Sequence, residues 1–184
     1  MKLTAELLGI SYNWQHVEIS KGETRTAEFL SRNPSGRIPV IEFSDGRYLW
    51  ESNAILNYFA HGSELLPNDR FARAQILQWQ NFEQHSHEPY IAVARFIKKF
   101  LGLPEARRDE YERKFKGGLR ALDILERHLT DRDYVVGVGL SIADISLYGY
   151  THVAHEAGYD MTPYPGIRRW LALVAVTPGY VGME

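Results

Sequence analysis

The chain has 184 residues, of which 45% are hydrophobic and 24% charged, the balance of a globular protein with one large domain or two small ones. A formal net charge of −2 gives no electrostatic basis for binding nucleic acid or an anionic membrane, and no apolar run is long enough to span a bilayer. The absence of cysteine excludes disulfides, thiolate zinc sites and a cysteine nucleophile within the chain, and we expect a cytoplasmic location.

The first third of the chain predicts the element order helix, strand, helix, strand, strand, helix. The first helix is expected to stop at Gly9, because glycine commonly ends a helix. Imperfect alternation over residues 12–19 predicts a strand, and a short helix is expected over residues 24–30. Four turn-forming residues come next, Asn33, Pro34, Ser35 and Gly36.

A strand and hairpin are predicted directly after this turn. The β-branched and aromatic run over residues 38–43 is typical of a buried strand, and Ser44-Asp45-Gly46 is typical of a hairpin turn. Pro39 has no amide hydrogen to donate, so it belongs at an edge or at the start of the strand. The returning strand covers residues 48–50.

A helix is predicted to open at Glu51-Ser52. The N-terminus of a helix attracts carboxylates through its free N–H groups and its macrodipole. Ser52 therefore has two possible roles, which the sequence leaves open: its hydroxyl caps the helix, or it contacts the carboxylate of a ligand.

Together, the turn, the strand with Ile38-Pro39-Val40, the hairpin and the helix opened by Glu51-Ser52 resemble the glutathione-binding half of bacterial cytosolic glutathione transferases. The resemblance implies a cis bond before Pro39, pairing of the Ile38 backbone with the cysteinyl part of glutathione, and binding of the γ-glutamyl end by Glu51 and Ser52. It assigns five residues to the binding of this co-substrate: Arg37, Ile38, Pro39, Glu51 and Ser52.

The remainder of the chain is predicted to be helical. Residues 71–100 show mostly helical spacing, with a kink expected at Pro89, and a clear amphipathic helix covers residues 111–129. The motif Ser141-Ile142-Ala143-Asp144 resembles a family hallmark, in which Asp144 caps a helix. The expected fold is α+β, with an incomplete thioredoxin-like domain over residues 1–62 and an all-helical domain over residues 68–184.

The same resemblance sets expectations about catalysis. The chain begins where the family is already inside its first helix, so the residue that stabilises the glutathione thiolate is expected to be missing, and no catalytic residue is assigned. Because the remaining pattern is intact, we expect the start of the chain to be mis-assigned. Tyr90 and Arg95 are the candidate substrate-binding residues.

The predicted reaction is attack of the glutathione thiolate on a small hydrophobic electrophile by a homodimer, as the family implies. The alternative is a noncatalytic glutathione-binding or protein-interaction module with the same fold. No metal is expected, because zinc needs three or four protein ligands and the pairs His85/His87 and His152/His155 lack a third with suitable spacing.

Overall fold

The computed structural model of the protein describes residues 1–182. Its first helix, α1, spans Lys2–Leu7 and ends before Gly9, as the sequence predicts. Two short 3₁₀ turns, Ile19–Lys21 and Glu23–Arg25, then lead into α2 at Ala27–Arg32.

The strand predicted over residues 12–19 is not formed, because residues 10–18 have no regular secondary structure. The only sheet of the described chain is the two-stranded one farther along, so this segment has no neighbouring strand with which to share hydrogen bonds. Its side chains are correspondingly exposed: the accessible fraction of Trp14 is 68% and that of Tyr12 is 39%. Alternating apolar residues predicted a strand here without a partner that could complete it.

The predicted hairpin is present. Strand β1, Val40–Glu42, pairs antiparallel with β2, Tyr48–Trp50, in a register that places Ile41 opposite Leu49. Strand β1 is shorter and less buried than the sequence suggests. It covers three residues, none of them fully buried, and Ile38 lies before it with 48% of its surface exposed. Pro39, which cannot donate to a ladder, stands just outside the strand.

Helix α3, Ser52–Ala60, comes directly after the hairpin, and the described chain beyond it is helical. The longer helices in chain order are α4 Arg70–Phe82, α5 Glu88–Arg95, α6 Arg108–Leu129, α7 Ile142–Thr151 and α8 Pro165–Ala175.

The helix predicted over residues 71–100 is interrupted twice. A π-helical turn, Glu83–His87, separates α4 from α5, and a second one, Phe96–Phe100, ends α5. The first interruption directly precedes Pro89, which lacks an amide and crowds the carbonyl four residues before it in a regular α-helix. A wider turn with i→i+5 hydrogen bonds accommodates this proline without ending the helical path.

Helix α7 lies in the core of the helical part. Most of its side chains are buried, and it packs against α3, α4 and α5. Ser141 donates hydrogen bonds to the Asp144 carboxylate from its amide and from its hydroxyl, at 2.9 and 2.7 Å. Asp144 is therefore part of a capping box, as predicted from the sequence.

The expected α+β architecture is confirmed, with a small two-stranded N-terminal domain followed by a helical one. Across the residues that the structure describes, no helix combines the length and apolar character needed to cross a membrane.

Candidate functional site

A cleft of about 230 Å³ lies between the turn before β1, the start of α3 and the helical domain. All five residues assigned to glutathione binding by the sequence line it. The complete lining is Asn33, Ser35, Arg37, Ile38, Pro39, Glu51, Ser52, Glu83, Gln84, Glu88 and Tyr150.

The floor of the cleft is a turn held by the side chain of Asn33, which is fully buried. Its amide nitrogen donates to the carbonyl of Arg37 at 2.6 Å, and its oxygen accepts from the amide and the hydroxyl of Ser35 at 3.0 and 2.8 Å. These three bonds fix the backbone that leads into Ile38. The turn formers recognised in the sequence thus position the residues that come after them.

The Ile38–Pro39 peptide bond is cis, as the resemblance implies. Both residues line the cleft, and Ile38 lies just before β1 rather than within the ladder. The structure therefore brings this dipeptide to the edge of the small sheet, where its backbone borders the cleft.

The start of α3 is uncapped. Glu51 occupies the N-cap position, and its side chain makes no capping hydrogen bond. The first hydrogen bond back to this cap is donated by the amide of Ile55 to the carbonyl of Glu51, at 3.0 Å. Ser52 is the first helical residue and not the cap, so the first of its two possible roles is set aside. Because the first amides of a helix have no partner within the helix, this end of α3 can accept an anion from the cleft.

The backbone of Glu51 is strained, with φ of +69° and ψ of 116°. Non-glycine residues rarely adopt such angles, and the conformation costs about 1–3 kcal/mol. Residues held in this way cluster at ligand-binding sites, where the surrounding structure enforces them.

Glu83 belongs to the helical wall of the cleft and is only 4% exposed. Its Oε2 atom accepts hydrogen bonds from the amide of Asn53 at 3.2 Å and the amide of Gln84 at 2.7 Å, and the hydroxyl of Ser146 lies 3.2 Å from it. The Ser146 hydroxyl donates its one proton to Oδ1 of Asn53 at 2.7 Å. This group, which we call the polar clamp (Asn53, Glu83 and Ser146), joins α3 to the helical domain next to Ser52.

The electrostatics of the cleft are dominated by carboxylates. Burial raises the pKa of Glu83, against the effect of its hydrogen bonds, and burial also raises the pKa of Glu88. Arg37, on the opposite wall, partly offsets the shift of the Glu88 pKa. The pKa of Tyr150 is raised by burial first and then by the two glutamates, so its hydroxyl remains protonated.

Sequence reasoning missed Glu83, Gln84, Glu88 and Tyr150. The two glutamates are five positions apart, a spacing that places residues about 140° apart around a regular α-helix. Only the π-turn between them brings both to one wall. Pro89 was the available signal, but it indicated only that the helix is disturbed.

The two residues proposed as substrate contacts do not line this cleft. The ring of Tyr90 packs closely over Gly117 of α6, and Nζ of Lys114 lies 5.3 Å from its centroid. Arg95 donates to Glu156 at 2.5 Å and stacks over the ring of Phe100, 5.2 Å from its centroid. Both side chains already have packing or ion-pair partners, and we do not carry them forward as ligands of this cleft.

Comparison with known protein families matches two regions of the chain. Residues 2–61 match the model of the glutathione S-transferase N-terminal domain, and residues 108–173 match that of the C-terminal domain. The crystal structure of a glutathione S-transferase from Pseudomonas fluorescens is 55% identical, with 99% of this chain and 90% of that chain covered and a TM-score of 0.98. The chain belongs to the glutathione S-transferase family.

Two further relatives of this glutathione S-transferase family member carry different names. A glutathione transferase from Burkholderia graminis, solved with two glutathione molecules bound per subunit, is 28% identical, covers 97% of this chain and 79% of its own, and has a TM-score of 0.84. Elongation factor 1-gamma from Danio rerio is 31% identical over 165 residues, or 86% of this chain. The chain spans about a third of the length of such curated relatives, 36% in this case.

Proposed function

We propose that the cleft binds glutathione and that the protein transfers the glutathione thiolate to a small hydrophobic electrophile. The observation that carries the proposal is the convergence of Arg37, Ile38, Pro39, Glu51 and Ser52 on one cleft at an uncapped helix N-terminus. Glutathione ends in a carboxylate at both extremities, and the cleft offers one cationic or electropositive group on each side. The α3 N-terminus with Ser52 takes the γ-glutamyl end, and Arg37 attracts the other carboxylate.

The reaction needs no group beyond the two substrates. The thiol loses its proton to solvent, the sulfur forms a bond to the electrophilic carbon, and the leaving group departs with the electron pair of the broken bond. Binding glutathione at both ends holds its sulfur beside the electrophile. The reaction between two solutes then becomes effectively unimolecular, and this supplies a large part of the rate enhancement. We assign no residue of this chain to the thiolate.

Calorimetry on Ser52→Ala tests the binding half of the proposal. We expect glutathione affinity to fall by about 1 kcal/mol or more, the worth of one hydrogen bond to a charged group. Ser44→Ala is the matched control, because Ser44 is exposed at the tip of the hairpin and is not part of the cleft. Equal affinities of the two variants and the parent protein would remove Ser52 from the site.

A noncatalytic role as a glutathione-binding or protein-interaction module is the second candidate. Its support is the similarity to elongation factor 1-gamma. Turnover of glutathione with 1-chloro-2,4-dinitrobenzene separates the two roles. Conjugation above the uncatalysed rate supports the transferase, whereas glutathione binding without turnover supports the module.

We also propose a homodimer through the face formed by α3 and α4. Phe71 and Leu77 on α4 are 70% and 58% exposed, and Tyr58 on α3 is 54% exposed. These three side chains are large exposed apolar groups on two adjacent helices, of the kind that an association site covers. Light scattering coupled to gel filtration should show a dimer for the parent protein and a monomer for Leu77→Asp.

A further inference from the structure

The helical wall of the cleft carries two carboxylates that the proposed binding of glutathione does not use. Glu83 and Glu88, here called the acidic wall, face the same cavity as Ile38 and Ser52. The amide of Glu88 donates to the carbonyl of Glu83 across the π-turn, which stacks the two residues along the helix axis. The unusual turn is therefore the reason that both carboxylates border the cleft.

The two carboxylate oxygens of Glu83 differ in their contacts: Oε2 contacts neighbouring donors, and Oε1 has none within the described part of the chain. The polar contacts from Asn53, Gln84 and Ser146 all reach Oε2, whereas no described residue donates to Oε1. The residue is almost fully buried, and the cavity is where its remaining oxygen can find a partner. Oε1 is not one of the buried polar atoms that lack a partner, so it borders the open cleft, where a ligand that supplies a hydrogen-bond donor or a positive charge can reach it.

The charged side chains that line the cleft also favour a neutral or cationic ligand group. Three carboxylates, those of Glu51, Glu83 and Glu88, face one guanidinium, that of Arg37. Lys114 acts on Glu88 from α6 but lies outside the lining, over the ring of Tyr90. Bound glutathione adds two carboxylates and a thiolate against one ammonium, so an additional negative charge beside its sulfur meets repulsion from the wall and from the co-substrate.

We propose that the acidic wall sets the charge preference of the second-substrate site, which accepts uncharged or cationic groups on the glutathione sulfur and rejects anionic ones. This inference rests on the proposed binding of glutathione in the same cleft. Glu88 carries most of the preference, because Glu83 is tied into the polar clamp. Replacing Glu88 by glutamine therefore changes charge without dismantling the contact between α3 and the helical domain.

Three S-substituted glutathiones of similar size test the proposal by calorimetry: S-propyl, S-(2-carboxyethyl) and S-(2-aminoethyl)glutathione. The parent protein should bind the carboxyethyl derivative at least about tenfold more weakly than the propyl one, as expected for one unscreened like-charge contact. Glu88→Gln should remove most of that difference, and Glu88→Lys should reverse it. Glu64→Gln, an equal change of net charge at an exposed position outside the cleft, should leave it unchanged.

The possible outcomes separate the two proposals. Binding of the propyl derivative with no discrimination against the carboxyethyl one, or discrimination that Glu88→Gln and Glu88→Lys leave intact, overturns the acidic wall alone. If none of the three derivatives binds, the glutathione site itself is wrong and the inference falls with it. Retained affinity of Glu88→Gln for the propyl derivative shows that the variant is folded.

Discussion

The Nε2 atom of His87 lies 2.9 Å from Oγ1 of Thr151, and both side chains are buried in the contact between the first π-turn and α7. Thr151 donates its own proton to the carbonyl of Leu147 at 2.7 Å, so His87 is the donor in this pair. Nδ1 of His87 has no partner among the described residues. The imidazole is thus held in its neutral form, and burial lowers the pKa of His87 to about 3.

This pair predicts a dependence of stability on pH. The unfolded chain protonates His87 near its ordinary pKa of 6.5, whereas the folded chain does so only near 3. The contribution is therefore fully present above pH 6.5 and is lost as the pH falls toward 3, by about 1.4 kcal/mol per pH unit. Urea unfolding should show this slope between pH 6.5 and pH 5 and no contribution from His87 between pH 8 and pH 6.5.

The matched comparison for that slope is His87→Leu against His85→Leu. His85 is exposed, so its replacement should leave the pH dependence unchanged. His87→Leu should flatten the curve, since Thr151 keeps its bond to Leu147 and no donor is stranded. Identical slopes in the two variants would show that His87 titrates normally.

From the backbone conformation of Glu51 we predict that its replacement affects stability and glutathione affinity in opposite directions. Glycine adopts positive φ without the steric cost that Glu51 bears, so Glu51→Gly should not lower the free energy of unfolding and should raise it by up to about 1 kcal/mol. Loss of the side chain and of the enforced geometry should weaken glutathione binding at the same time. The two quantities are measured by urea unfolding and by calorimetry on the same preparations, and a loss of stability would argue against strain at this position.

From the contacts of Asp144 we predict that its replacement strongly lowers the free energy of unfolding. Besides Ser141, its carboxylate accepts from the amide of Val135 at 2.8 Å and from the indole of Trp170 at 2.9 Å. Asp144→Ala should therefore destabilise the protein by about 3 kcal/mol or more, because several buried donors lose their acceptor. Ser141→Ala, which removes one hydroxyl, should cost only about 1 kcal/mol in the same unfolding assay. A similar cost for both would mean that the bonds of Val135 and Trp170 contribute little.

We predict that Tyr90 contributes to stability by packing against Gly117, and a double-mutant cycle measures this contribution. A methyl group at Gly117 would overlap the Tyr90 ring, so Gly117→Ala should cost about 1–3 kcal/mol. The cost should largely disappear in the Tyr90→Ala background, which removes the ring. A cost of Gly117→Ala that is independent of Tyr90 would contradict this contact.

Local chemistry made the N-terminal half of the cleft predictable. The Asn33 turn, the hairpin at Ser44-Asp45-Gly46 and the helix beginning at Ser52 each depend on a few adjacent residues, and each lies where the sequence places it. Their arrangement around Ile38 and Pro39 came from the resemblance to a family and not from spacing alone.

The sequence did not predict which side chains of residues 71–100 are buried, because the helical phase changes within this segment. The sequence predicted mostly helical spacing over residues 71–100, with a kink at Pro89 but with no π-turn. Ile76 and Trp79 are buried, but Phe96 and Phe100 are 48% and 58% exposed. Each π-turn inserts extra backbone and shifts the helical phase of the residues after it, so Ile91 and Ile97 are buried instead. Nothing in a periodicity count reveals such a shift.

The position of the first π-turn along the chain has an evolutionary consequence. Glu83 and Glu88 lie between the two stretches that match the family models, at residues 2–61 and 108–173, whereas Ile38 and Ser52 lie within the first. Under the two proposals above, the residues that bind glutathione and those that screen its reaction partner therefore belong to separate stretches of sequence. If both proposals hold, substitutions in the second stretch alter the choice of electrophile while the residues that bind glutathione stay the same.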